Sequence, residues 1–151
     1  MERRMERLTA DKLDAFIDLR LTQLKEEGTL ETDLRPALED YLHRHLADGS
    51  FVSWILTEGH RILATSGISF VETPPYPGSP NGRIGLLSCM YTDPACRRQG
   101  IASALLERIV AEARARDCRV TQITASRMGE KLYQSFGFVR HARFFQLSLD
   151  K

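Results

Sequence analysis

At 151 residues, with 27% charged side chains and a formal net charge of +1, the chain is sized for one domain whose charges nearly balance. No basic excess points to nucleic acid, no acidic tail to a solvating role, and no apolar run approaches a bilayer span. Three cysteines without a CxxC pair suit a reducing compartment, and the charged opening MERRMERLTADKLDAF lacks a secretory signal's apolar stretch, so a soluble cytoplasmic protein is expected.

Thr9 is placed to cap a helix over residues 10–26, in which Leu13, Phe16, Ile17, Arg20 and Leu24 share a face and Gly28 follows the end. Asp33 is placed to cap a second helix. There Leu34, Leu38, Tyr41, Leu42 and Leu46 recur at helical spacing, Pro36 sits in the first turn and Gly49 ends the run. The period then changes. SFVSWILTEGHRILATSGISFVE reads as two strands about a tight turn at Glu58-Gly59-His60-Arg61. TPPYPGSPNG holds four of the six prolines and reads as a loop, a candidate lip on the substrate side. RIGLLSCMYT is the next strand, and a helix spans residues 98–116 with Ile101, Leu105, Ile109 and Val110 on one face. CRVTQIT reads as a strand, SRMGEKLYQSF as a short helix, and FVRHARFFQLSL as one or two closing strands. The order, roughly (β)ααβββαβαβ, describes a mixed α/β domain around one sheet.

The chemistry concentrates in MYTDPACRRQGIASALLERIV, residues 90–110. Gly100 falls at the start of the third helix, where glycine is a poor helix former but lets another molecule approach the backbone. The first N–H groups of a helix lack internal partners, and the macrodipole puts partial positive charge there. A strand, a short loop and an open helix start make an anion cradle suited to a phosphate or pyrophosphate. Arg97 and Arg98 add charge at its rim, and small Ala102 and Ser103 leave the approach clear. Neither GxxxxGK[ST] nor GxGxxG is present, which argues against a nucleotide-triphosphate loop or a dinucleotide fold.

Arg97-Arg98-Gln99-Gly100-Ile101-Ala102 instead matches R/Q-x-x-G-x-G/A, the acyl-coenzyme-A signature of the GNAT N-acetyltransferase superfamily. MYTDP upstream resembles that family's fourth strand. SRMGEKLYQSFGFVR downstream resembles its second signature, a short helix carrying a tyrosine and closed by Gly-Phe. The motifs cover residues 86–139, and the order of elements agrees over nearly the whole chain. The resemblance implies a single domain over residues 1–151, built on a central twisted, mostly antiparallel sheet whose fourth and fifth strands splay, with flanking helices. It also implies acetyl-CoA as co-substrate, no metal, and an acceptor that is a small-molecule amine or a protein N-terminus or lysine.

Carried onto this chain, the resemblance gives Met90 the backbone N–H that meets the thioester carbonyl. Tyr91 and Thr92 would line the pantetheine, Thr92 pairing with its amides as an added strand would. Arg97, Arg98, Gln99, Gly100, Ile101, Ala102 and Ser103 would form the pyrophosphate site, mostly through main-chain N–H groups. Tyr133 stands where the family places the hydroxyl near the thioester sulfur, the general acid for the leaving thiolate. Ser126 replaces an asparagine that many members use on the pantetheine. Glutamate on the fourth strand, the base in some members, is missing: GLLSCMYT offers only Ser88 and Cys89. Glu26, Glu27, Glu31 and Glu72 remain as carboxylates for the acceptor or its proton, beside water and main-chain carbonyls.

Other residues read as structure. His43 and His45, two apart on a helix, face apart, and no His, Cys, Asp and Glu grouping has zinc spacing. Cys89 reads as an inert strand thiol, Trp54 as a core or sheet-face residue. Two rival functions stand beside the enzyme: an acyl-CoA-binding sensor without turnover, and an interaction domain whose cradle holds another phosphate ligand. The apolar FFQLSL allows a homodimer through the C-terminal strands; nucleic acid and membrane are not expected partners.

Overall fold

The computed structural model describes residues 1–30 and 32–150. Among the described residues six strands make one sheet: β1 (Arg3–Arg7), β2 (Phe51–Val52), β3 (Trp54–Glu58), β4 (Arg61–Glu72), β5 (Arg83–Thr92) and β6 (Val120–Gln122). They run in the order β1-β3-β4-β5-β6, with β2 pairing to β4. Every pairing is antiparallel except β5 with β6. Four α-helices cover the faces: α1 (Leu13–Glu26), α2 (Arg35–Asp48), α3 (Ile101–Ala115) and α4 (Glu130–Phe136).

Periodicity explains the two layers. Phe16 and Ile17 of α1 and Leu42 of α2 are buried against Phe51, Ile55, Ile62 and Cys89 on one face of the sheet. Leu105, Leu106 and Ile109 of α3, all fully buried, pack with Ile68, Leu87, Leu56 and Leu63 on the other. Each such side chain contributes about 1.5–3 kcal/mol by leaving water. The helix ends follow their residues. Asp33 Oδ1 accepts the Arg35 N–H at 3.1 Å, Pro36 lies in the first turn of α2, and Gly49 ends it. Glu58 and Arg61 pair across the β3–β4 turn, where Gly59 takes φ 62°, as a two-residue hairpin requires.

Three expectations need correction. The closing strands do not form: none of the described residues after Phe136 belongs to a helix or strand, and strand character without a paired neighbour does not make a strand. Val139, Phe144, Phe145, Leu147 and Leu149 are instead exposed, each by 75–92% of its surface. Thr9 does not cap with its side chain; it precedes a 3₁₀ turn, Ala10–Lys12, before α1 begins. The helix expected from residue 98 starts at Ile101, since Arg98 and Gly100 both adopt left-handed backbone, φ 64° and 77°. β1 is the bracketed first strand of the expected order (β)ααβββαβαβ. Its residues are charged, but Arg3 pairs with Glu58 at 3.1 Å and Met5 turns inward as an edge strand.

Candidate active site

β5 is where the sheet breaks its own pattern. Its register against β4 shifts between Thr65 and Gly67, so that Tyr91 pairs with Thr65 and Ser88 with Gly67. Cys89 and Met90 together oppose Ser66, a β-bulge, and Cys89 takes φ 57°. Side-chain bonds fix the two peptide units. Thr65 Oγ1 donates to the Cys89 carbonyl at 2.7 Å, a buried bond. In a trans peptide the N–H points opposite to the carbonyl, so the Met90 N–H is aimed away from Thr65. Gln23 Nε2, from α1, donates to the Met90 carbonyl at 3.0 Å.

On the other side, β5 and β6 pair in parallel only from Ile84/Val120 to Leu86/Gln122. Beyond that the strands part, and β5 runs on through the bulge to Thr92 without a β6 partner. The gap between two parted strands is a template for an extended polar ligand. At its open end stands the start of α3. Ala104 N–H bonds back to the Gly100 carbonyl at 3.1 Å, so the N–H groups of Ile101, Ala102 and Ser103 precede the helical ladder. A Cβ built at Gly100 would meet nothing within 4 Å. The glycine is therefore required by its φ, and the space above it is open to a ligand. This helix start, with Arg98 on the same loop, fits a pyrophosphate.

Arg97 and Gln99 are engaged by the fold. Arg97 Nε donates to the Thr92 carbonyl at 2.9 Å and its guanidinium lies over the Tyr91 ring, 5.5 Å from the centroid. Gln99 Oε1 accepts from Arg3 at 2.8 Å. Their side chains hold the loop in shape. Tyr91 has its phenol pushed up to about 12, by burial first and then by a hydrogen bond and charge from Glu26.

Tyr133, on α4, is buried at 6% exposure with its ring edge-on to Phe138. Burial, and then the charge of Glu27, push its phenol up to about 12. Ser126 lies in the turn before α4, where its Oγ accepts the Gly129 N–H at 3.3 Å. Ser126 also lines a cavity of about 370 Å³ together with Glu27, Thr124, Ala125 and Arg127. That cavity joins the end of α1 to the segment linking β6 and α4.

Of the four glutamates, the structure brings Glu27 to this cavity and Glu26 to Tyr91. Glu72 pairs with Arg83 at the opposite end of β5 from the bulge and lines a separate cavity with Arg116 and Cys118. The TPPYPGSPNG loop lies at that same far end, tied by Asn81 Nδ2 to the Asp117 carbonyl at 2.8 Å, so it is no lip to this cleft. Glu31 lies outside the described residues. Cys89 is buried, and burial raises its thiol pKa. Trp54 is structural, its Nε1 donating to Glu112 at 3.2 Å. Among the described residues no helix is long and apolar enough to cross a membrane, and no group of three or more His, Cys, Asp or Glu could hold a metal. Thr65, Gln23 and Arg20, which shape the bulge from other elements, carry no motif and are found only through the fold.

A bulged strand parted from its parallel neighbour, facing a glycine-opened helix start, defines the acetyltransferase class of mixed α/β domain. Residues 49–140 match the acetyltransferase (GNAT) domain, and the chain belongs to that family; it is an acyltransferase. A predicted acetyltransferase from Clostridium acetobutylicum, crystallised with acetyl-CoA, is 31% identical, with 98% of this chain and 97% of that one covered at a TM-score of 0.93. A GCN5-related N-acetyltransferase from Ralstonia eutropha is 28% identical, with 99% and 100% covered at 0.88. Glucosamine-6-phosphate N-acetyltransferase from Arabidopsis thaliana, at 15% identity and a TM-score of 0.79 over 99% and 100% of the chains, shares the fold. No curated sequence matches the chain.

Proposed function

We propose that the chain transfers the acetyl group of acetyl-CoA to an amine by direct attack within a ternary complex. The observation that carries this reading is the bulge: the Cys89 carbonyl is tied back by Thr65, which frees the Met90 N–H for a thioester oxygen in the gap beside β5. A fixed donor there stabilises the oxyanion that forms as nitrogen attacks. Tyr91 and Thr92 would flank the pantetheine, and the backbone of Arg97 to Ser103 would take the pyrophosphate, with Arg98 supplying charge. Ser126 would add a hydroxyl to the pantetheine from the turn before α4.

Acetyl-CoA supplies the activated acyl group and a thiolate leaving group. Tyr133 is the proton donor to that thiolate. Its raised pKa keeps the proton in place until the sulfur leaves. The buried Cys89 thiol is out of reach of a substrate, which supports attack by the amine itself.

The acceptor is a small-molecule amine in this reading, since the cavity beside Glu27 is about 370 Å³, the scale of a small ligand. The test is thiol release from acetyl-CoA with a panel of amines, varying both substrates. Intersecting reciprocal plots are expected; parallel plots, or no release with any amine, would overturn the reading. A second copy of the chain is the partner favoured by the terminal segment, whose Phe144, Phe145, Leu147 and Leu149 are all exposed, while β6 stands at the end of the sheet order with an edge to offer. Light scattering should then give twice the 17.2 kDa of one chain; a monomer at micromolar concentration would refute it.

A further inference from the structure

We infer that Glu27 is the carboxylate that receives the acceptor's ammonium and takes its proton, and that Gln23 is the positioning residue that sets it against the bulge. The inference rests on the acetyl-CoA reading of the gap beside β5. Glu27 follows the last turn of α1, and Gln23 lies four residues earlier on the same face. Gln23 is buried at 8% exposure, and its amide has two N–H groups to place. Nε2 donates to the Met90 carbonyl at 3.0 Å and to Glu27 Oε1 at 3.4 Å. Arg20 Nη1 donates to Gln23 Oε1 at 3.0 Å, which fixes which end of the amide faces the bulge. One buried side chain thus bridges the strand position that would hold the thioester and the carboxylate beside it.

Glu27 itself is exposed to the cleft and lines the cavity with Thr124, Ala125, Ser126 and Arg127. Only one of its oxygens faces Gln23, which leaves the other for a cation. Its charge also reaches Tyr133, whose phenol is raised first by burial and then by Glu27. So the same carboxylate neighbours the thioester position on one side and the proton donor on the other. Neither Glu26 nor Glu72 does this: Glu26 engages Tyr91 and Glu72 is at the far end of β5.

The proton ledger closes. The ammonium gives one proton to Glu27, and the freed lone pair forms the C–N bond at the thioester carbon. The C–S bond breaks and the sulfur takes the Tyr133 proton. The surplus proton on the new amide nitrogen returns to Tyr133 through solvent, and Glu27 releases its own to water.

The test uses two probes that need no knowledge of the acceptor: S-(2-aminoethyl)-coenzyme A and its neutral counterpart S-(2-hydroxyethyl)-coenzyme A, with affinities measured by calorimetry. The ammonium of the first falls close to where an attacking amine must stand. The parent protein should favour it about fivefold, the scale of one solvent-touched ion pair. Glu27→Gln should abolish that preference while keeping its affinity for the hydroxyethyl probe, and Glu72→Gln should leave the preference intact. Equal affinities in the parent, or a preference that survives Glu27→Gln, would overturn the assignment. If neither probe nor coenzyme A binds the parent, the reading of the gap itself fails and Glu27's role falls with it.

Discussion

Thr65→Val removes one hydroxyl and keeps the shape of the side chain. The Cys89 carbonyl, which accepts from Thr65 Oγ1 at 2.7 Å in a buried setting, then loses that partner, at a cost of about 1–3 kcal/mol. For a chain of this length each kcal/mol lowers Tm by about 2–4 °C, so a fall of roughly 2–12 °C is expected. The second effect is on rate. With its carbonyl released, the Cys89–Met90 peptide can swing, and the Met90 N–H no longer stands fixed toward the thioester oxygen. Complete loss of such a donor costs about 10²–10³ in kcat, and a swing that leaves it populated part of the time costs about tenfold. The KM for acetyl-CoA should change little, because the helix start at Gly100 lies outside the bulge. Thermal unfolding followed by steady-state thiol release reads both quantities. A variant that loses stability but keeps its kcat would refute the claim that Thr65 aims this donor.

Tyr133→Phe should lower kcat by about 10²-fold, within the range of a lost general acid, with acetyl-CoA binding retained. Because burial holds the phenol neutral up to about 12, Tyr133 should contribute no fall in rate below about pH 11; a descending limb that has a midpoint near 10 and vanishes in Tyr133→Phe would contradict this. The sign for stability is the same: the fold favours the neutral phenol, so its contribution is whole below pH 10 and lost as pH rises through about 12. Cys89→Ala should keep parent-level kcat, at a stability cost of about 1 kcal/mol for the shortened buried side chain. A dead but folded Cys89→Ala would point to an acyl-cysteine intermediate and end the direct-attack reading.

Elements whose apolar residues serve one face were legible in the sequence. Phe16 and Ile17 in α1, Leu42 in α2, and Leu105 and Ile109 in α3 all sit where helical spacing put them. The strands around Gly59 and the glycine-marked start of α3 were equally open to reading, because a positive φ leaves a mark that only a few residues can carry. β1 was not, since an edge strand of Arg and Glu has no alternation to see; its partners Glu58 and Glu112 are far away in sequence. FFQLSL misled in the opposite direction. Its residues have strand character, yet a strand needs a paired neighbour, and the sequence does not say whether these residues reach one. The cleft was legible where it is local, from Met90 to Ser103. The residues that orient it, Thr65 and Gln23, act across β4 and α1, and only the fold brings them to Cys89 and Met90.

That division has a physical cause, and it bears on where the missing carboxylate had to come from. Around the bulge the side chains of β5 are already committed: Leu87 and Cys89 are buried, Met90 packs toward α4's cluster, and Tyr91 lies beneath Arg97. A glutamate at Cys89 would bury a charge in the α1–α2 core at a cost of several kcal/mol. A carboxylate can reach the bulge without that cost only from an element that crosses it at the solvent boundary, and α1 ends there. Gln23 is buried and Glu27 is exposed on the same helical face, so one turn of α1 carries the polar chain from the protein interior to the cleft. The strand provides the fixed backbone donor and the helix provides the charge.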